Sequence, residues 1–184
     1  ADVQGEDWFA GYVKYVYDRG YMIGKSVNSD GTVYFDPNAS ITRAEFVQIL
    51  YSMENKPAVE YIKIFEDVPD KQWYTNAIIW AAQNKIVAGK TEKTFDVFGN
   101  ITREELATML HAYAKYKGYD TETRASIDDF EDASEVSKWA VENIEWAVGN
   151  GLIAGKEINS RKYLAPIEFT TRAECATILK SFDR

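Results

Sequence analysis

The motif Thr-Arg-x-Glu occurs three times in 184 residues, as "ITRAE" at 41–45, "ITREE" at 101–105 and "TTRAE" at 170–174. It is one part of a longer pattern. Trp8, Trp73 and Trp139 are spaced by 65 and 66 residues, and sixteen residues after each lies a glycine, Gly24, Gly89 or Gly155. A lysine follows each glycine: Lys25, Lys90 and Lys156. Beyond a loop of variable length come Phe35, Phe95 or Leu164, each eight residues before the motif's arginine, Arg43, Arg103 or Arg172. An order and two spacings kept in every copy define a tandem repeat. The units are placed at 1–56, 63–118 and 127–184, and together they fill one domain over 1–184.

Each unit reads as two helices. From Trp73 the apolar residues fall at Tyr74, Ile78, Ala81 and Ala82, one face of a helix. The counterparts are Phe9, Val13, Val16 and Tyr17, then Ala140, Ile144, Ala147 and Val148. These helices should stop near "DRGYMIG", "QNKIVAG" and "GNGLIAG", with Gly20 and Gly151 as left-handed ends and Lys85 in that slot of the second copy. The second helix begins at the motif, because Thr followed by Glu three residues later is a capping box, worth about 1 kcal/mol per cap. Its apolar stripes are Phe46, Ile49, Leu50, Met53; Leu106, Met109, Leu110, Tyr113; and Cys175, Ile178, Leu179, Phe182. Trp80 and Trp146 read as core, Cys175 as a buried small hydrophobe and the lone His111 as a surface residue. The polar link from Tyr113 to Phe130 reads as the most mobile joint.

Capping explains the threonine and the glutamate but not the arginine. At the first helical position the helix dipole disfavours a cation by roughly 0.3–1 kcal/mol. Two readings stand. In one, the arginine pairs with a carboxylate of the neighbouring unit, such as Asp67 or Asp132. In the other, it joins the free amides of the helix start in holding an anionic ligand. On that second reading Arg43→Ala or Arg172→Ala leaves the fold intact and weakens binding. Glu104, where the other copies have alanine, is placed to weaken or neutralise Arg103.

Composition removes several classes. The formal net charge of -8 and the lack of a basic stripe argue against nucleic acid. No window approaches the ~18 apolar residues of a membrane span, so no membrane insertion is expected. One cysteine gives neither an internal disulfide nor a cysteine-rich metal site. "NSDGT" at 28–32 resembles the start of a calcium loop but lacks the later glutamate, and an Asp-Gly turn is the reading preferred. No metal or cofactor is expected. A wall glycosidase would need two carboxylates across a cleft, and the repeated glutamates are committed to caps, so the chain does not read as an enzyme. The chain opens within the pattern and without a leader, as a mature piece of a longer protein would.

The segments "FEDVPDKQWYTNAIIWAAQNKIVAGK…FDVFGNITREELATML" and "FEDASEVSKWAVENIEWAVGNGLIAGK…TTRAECATIL" resemble S-layer homology domains, and "DVQGEDWFAGYVKYVYDRGYMIGK…FDPNASITRAEFVQIL" resembles the first of such a set. The resemblance covers essentially the whole chain. It implies an all-α, pseudo-threefold fold, with a central helical bundle, three projecting prongs and grooves between them. It also implies a function: non-covalent anchoring of a bacterial surface protein to secondary cell wall polysaccharide, typically at a pyruvylated N-acetylmannosamine terminus. By this resemblance the ligand-binding residues are Arg43, Arg103 and Arg172, with Trp8, Trp73, Trp139, Gly24, Gly89 and Gly155. Lys25, Lys90 and Lys156 are added as positive charge at each groove. Core packing for the tryptophans, turn geometry for the glycines and a solvated loop for the lysines stay open beside that. The implied place is the bacterial cell surface, with an effector region elsewhere in the parent protein. The alternative is a structural assembly module whose grooves receive protein segments.

Overall fold

The computed structural model describes residues 1–183. Six α-helices carry it: α1 (Ala10–Asp18), α2 (Arg43–Met53), α3 (Thr75–Gln83), α4 (Arg103–Lys117), α5 (Val141–Gly149) and α6 (Arg172–Phe182). The fold is predominantly helical. Two small antiparallel ribbons, β1 (Ser26–Val27) with β2 (Val33–Tyr34) and β3 (Lys156–Ile158) with β4 (Arg161–Tyr163), fill the variable loops of the first and third repeats. No helix among the described residues is long and apolar enough to cross a membrane.

Local chemistry sets the helix ends. Thr42, Thr102 and Thr171 each accept from the amide three residues on, at 3.2, 3.3 and 3.2 Å. The glutamates Glu45, Glu105 and Glu174 accept in return from the threonine amides at 2.8, 3.1 and 2.8 Å. The first helices end on residues with left-handed backbones, Gly20 (φ 69°), Lys85 (φ 59°) and Gly151 (φ 68°). Asp30 closes the first ribbon, its carboxylate accepting from the Thr32 amide at 2.9 Å beside Gly31 (φ 85°).

The repeats are joined at the residue before each capping threonine. The Ile41 amide donates to Thr170, Thr170 donates to Ile101, and Ile101 donates to Ile41, each at 3.0 Å. This ring of three hydrogen bonds is closed and its three side chains are fully buried. Around it the helices pair between repeats, α2 with α3, α4 with α5 and α6 with α1. The order is cyclic, so the last repeat returns to the first. Each loop before a motif is held by an aspartate at the start of its own repeat. Asp2 accepts from the Phe35 and Asp36 amides at 2.7 and 2.6 Å, Asp67 from Phe95 and Asp96 at 2.8 and 2.7 Å, and Asp132 from Leu164 and Ala165, both at 2.7 Å.

Several expectations change here. Asp67 and Asp132 bind loop amides of their own repeat and form no ion pair with the arginines. His111 is buried rather than on the surface. Its ring stacks on Trp146 at 4.7 Å, Nδ1 meets Asn143 Oδ1 at 2.7 Å and Nε2 meets the Thr121 carbonyl at 3.3 Å. Tyr17 lies outside the core, 47% exposed, because Val13 and Val16 already fill the face of α1 that meets α6. The link after Tyr113 is anchored on α5. Trp146 Nε1 donates to the Asp120 carbonyl at 3.1 Å, Asn150 to the Thr123 carbonyl at 3.1 Å, and the Ala125 amide to the Glu145 carbonyl at 3.0 Å. Glu104 is buried, and its carboxylate accepts from the Ser137 amide and hydroxyl at 2.9 and 2.8 Å. It therefore binds the start of the third repeat and does not neutralise Arg103. Trp80, Trp146 and Cys175 are buried as read, and burial pushes the Cys175 thiol up.

Two predictions follow from the hub and the loop clasps. Thr170 occupies the position of Ile41 and Ile101, and its buried hydroxyl has no hydrogen-bond partner among the described residues. An unmet buried hydroxyl costs about 1–3 kcal/mol, so Thr170→Val should raise the melting temperature, by about 2–4 °C per kcal/mol. An unchanged or lower midpoint in calorimetry would refute this account of the hub.

Desolvation pushes the Asp2 and Asp67 carboxyls up, but the amides they accept from outweigh it and hold both below the ordinary value. A carboxyl depressed in the folded state stabilises above its unfolded pKa of about 3.9. That contribution is lost as pH falls through the lower folded value. Denaturant melts at stepped pH should therefore show stability falling below about pH 4, with a shallower fall in Asp67→Asn.

Candidate functional site: three grooves built across repeats

Arg43, Arg103 and Arg172 open α2, α4 and α6, yet all three are buried, with 3–6% of their surface exposed. Their forks reach into the neighbouring repeat. Arg43 donates from Nε to the Phe95 carbonyl and from Nη2 to the Ala88 carbonyl, both at 3.0 Å. Arg172 donates to the Phe35 and Ile23 carbonyls, both at 2.7 Å. Arg103 donates from Nε to the Leu164 carbonyl at 2.8 Å. The guanidinium carbons of Arg43 and Arg172 also lie over the rings of Phe95 and Phe35, at 4.7 and 4.5 Å. Arg43 and Arg172 thus each clip two ends of the neighbour's variable loop together, and Arg103 holds one end. Burial lowers each guanidinium's pKa, and the facing carboxylates Glu105, Glu174 and Glu45 push back.

The motif glutamates have two tasks. In each, Oε2 caps the helix while Oε1 faces cations. Glu105 Oε1 lies 3.5 Å from Arg43 Nη1 and is bonded by Lys90 Nζ. Glu174 Oε1 lies 3.6 Å from Arg103 Nη1 and 3.3 Å from Lys156 Nζ. Glu45 Oε1 lies 3.7 Å from Lys25 Nζ. Desolvation pushes Glu174 up, but the Thr171 amide, Arg103 and Lys156 together hold it below the ordinary range. The recurring lysine thus faces the motif glutamate in every copy, and Lys156 also donates to Glu168 at 2.6 Å.

Beside each of these charge clusters lies a groove. Groove A, about 410 Å³, is lined by Arg43, by Gly89, Lys90 and Glu105, and by Trp139. Groove B, about 490 Å³, is lined by Arg103, by Gly155, Lys156 and Glu174, and by Trp8. Groove C, about 350 Å³, is lined by Arg172, by Gly24, Lys25 and Glu45, and by Trp73. Arginine, Gly-Lys-Glu and tryptophan come from three different repeats in every case. The tryptophans are 54–63% exposed, which removes the core-packing reading for them. An exposed indole opposite two cations and a carboxylate offers an apolar face and hydrogen-bonding groups at once, in a mostly preformed cleft.

The helix amides expected to assist the arginine are already used. The Arg43 and Ala44 amides donate to the Gly99 and Val97 carbonyls at 2.9 and 3.2 Å, and the same pattern repeats at Arg103 and Arg172. The third amide binds the capping threonine, so no free helix start faces the groove. The glycines are explained by internal packing. A Cβ on Gly89 would sit 2.3 Å from the Thr91 carbonyl oxygen, and one on Gly155 (φ 82°) 2.5 Å from the Phe130 ring. The groove floors were not singled out from sequence: Gln48 and Ile49, Thr108 and Met109, Thr177 and Ile178. Their signal is a fixed offset of five and six residues from the motif arginine, and Ile49, Met109 and Ile178 belong at once to the core stripe and to the groove.

This geometry reverses the expectation that an arginine can be removed without harm to the fold. Arg172→Ala leaves the Phe35 and Ile23 carbonyls without their donor, and each hydrogen bond to a charged group is worth about 1.5–3 kcal/mol. Arg172→Lys should recover only part of that loss, since an ammonium cannot reproduce the planar fork. Chemical denaturation of both variants checks this, and a loss for Arg172→Ala below about 1 kcal/mol would defeat the clip.

Residues 1–47, 64–107 and 129–176 match the model of the S-layer homology domain. The chain is 31% identical over 152 residues to the "Surface-layer 125 kDa protein" of Lysinibacillus sphaericus, covering 83% of this chain and 12% of that protein. It is 32% identical over 146 residues to the "Exoglucanase XynX" of Acetivibrio thermocellus, covering 79% and 13%. It is 27% identical over 184 residues to the "S-layer protein EA1" of Bacillus anthracis, covering 100% and 20%. The chain thus spans a fifth or less of the length of these relatives. Three family matches, falling on the three units that build the ring and the grooves, place this chain in the S-layer homology domain family.

Proposed function

We propose that this chain anchors a bacterial surface protein to the cell wall by binding the acidic terminus of secondary cell wall polysaccharide in its grooves. Domains of this family anchor surface proteins to the cell wall, and relatives bear the names of surface-layer proteins and of an exoglucanase. The observation that carries the finer reading is a recurring constellation opposite an exposed tryptophan: a buried arginine and a lysine sharing Glu105 in groove A and Glu174 in groove B, and in groove C the buried Arg172 with Lys25 paired to Glu45. A pyranose offers an apolar face that suits the indole. A pyruvyl ketal carries a carboxylate that suits the cations and, on entering, takes the lysine from its glutamate. Glycan recognition is the anchor's own task, and any catalysis belongs to other regions of a parent protein. The place of action is the cell surface. The acidic chain is not steered to an acidic polymer by net charge, because repulsion is screened within about 8 Å at physiological salt. Local oriented cations do the recognition, and several grooves on one polymer add avidity.

Retention on purified wall polysaccharide, native against chemically depyruvylated, tests the proposal. Native polymer should be retained and depyruvylated polymer released. Equal retention defeats the carboxylate reading, and no retention on either favours grooves that receive protein segments. Trp73→Ala and Trp139→Ala should weaken retention at least several-fold with melting temperatures within about 2 °C of the parent, since exposed side chains contribute little to stability.

A further inference from the structure

Each groove indole sits in the turn that opens the first helix of its repeat. The turn that carries Trp139, in groove A, is fastened from another repeat. The Ala140 amide closes this turn on the Ser137 carbonyl at 2.8 Å. The buried Glu104 of α4 takes Ser137 with both oxygens, Oε2 accepting from its amide at 2.9 Å and Oε1 from its hydroxyl at 2.8 Å. One turn along α4, Thr108 Oγ1 donates to the Glu104 carbonyl at 2.8 Å and accepts from Asn143 Nδ2 at 3.0 Å. Asn143 Nδ2 also donates to the Trp139 carbonyl at 3.3 Å, and Asn143 Oδ1 meets His111 Nδ1 at 2.7 Å. The chain is thus tied to α4 on both sides of the indole.

The other grooves lack these groups. Ala44 and Ala173 stand in the place of Glu104, and Ala77 and Tyr12 in the place of Asn143. The turn of Trp73 is fastened within its own repeat, where Thr75 Oγ1 donates to the Pro69 carbonyl at 2.6 Å and accepts from the Gln72 amide at 3.0 Å. Two motif helices of three form with alanine after the arginine, so the helix itself does not require Glu104. Its neighbour Glu105 faces Arg43 and Lys90. Adjacent residues of one helix therefore hold the two halves of groove A, Glu105 the cations and Glu104 the turn of the indole.

We infer that Glu104 and Asn143 are positioning residues of groove A, which fix the Trp139 turn against the charge cluster before a ligand arrives. The inference rests on the glycan-binding reading above. A wall that must be ordered on binding subtracts from affinity, and a wall ordered beforehand does not. The sugar ring then meets the indole at the spacing that brings its carboxylate to Arg43 and Lys90.

Calorimetric titration of the whole chain with pyruvylated N-acetylmannosamine tests this as a double-mutant cycle. Glu104→Ala and Asn143→Ala should each weaken one of the sites about two- to tenfold. In a Trp139→Ala background both losses should vanish, because no indole is left to aim. In a Trp73→Ala background they should persist in full. Glu104→Gln, whose carbonyl still accepts from the Ser137 amide, should recover part of the affinity. Melting curves accompany each variant, and Asn143→Ala, which removes no buried charge, carries the reading if Glu104→Ala does not fold. Losses that are the same in both tryptophan backgrounds, or no loss in the single variants, overturn the positioning role and leave the anchoring proposal standing. If the parent chain binds no sugar, both fall together.

Discussion

Three backbone amides, each donating to the preceding repeat and the first to the last, hold this molecule closed. The ring of Ile41, Ile101 and Thr170 fixes where every motif helix begins. The capping boxes then fix their direction, and the arginines, one residue past each cap, are delivered into the neighbouring repeat. A buried charge is costly unless it is paired and hydrogen-bonded. Here the cost is met by a loop carbonyl at every Nε, by a second at Nη2 of Arg43 and Arg172, and by a carboxylate beside Nη1 of Arg43 and Arg103. The side chain that joins two repeats therefore also lines the groove between them.

The glutamate makes this economy possible. Splitting its oxygens, one to the helix cap and one to the cations, ties the register of the helix to the position of the charge cluster. A shift of the helix by one residue would lose the cap and misplace the carboxylate together. The lysine closes the cluster from the solvent side, more exposed than the arginine in every copy.

Much of this was legible because it is local. The capping boxes, the left-handed ends at Gly20, Lys85 and Gly151, and the burial of Trp80, Trp146 and Cys175 all follow from short-range spacing. The partners across repeats were not legible, since the arginines bond to backbone carbonyls and any residue carries one. Asp67 and Asp132 were plausible ion-pair partners by charge, yet they bind amides of their own repeat. His111 was misplaced because its partners, Asn143 and the Thr121 carbonyl, belong to the third repeat and to a link that looked loose. The Gly-Lys step was visible as a pattern, and its companion tryptophan was visible too. Nothing in the spacing says that the two meet only between non-identical copies.

That last arrangement sets how attachment is lost. Because every groove draws its arginine, its lysine and its indole from three separate repeats, no single repeat owns a complete binding surface. Cleavage or local melting of any one unit dismantles every groove at once. A chain built this way loses its three grooves in one event rather than by degrees.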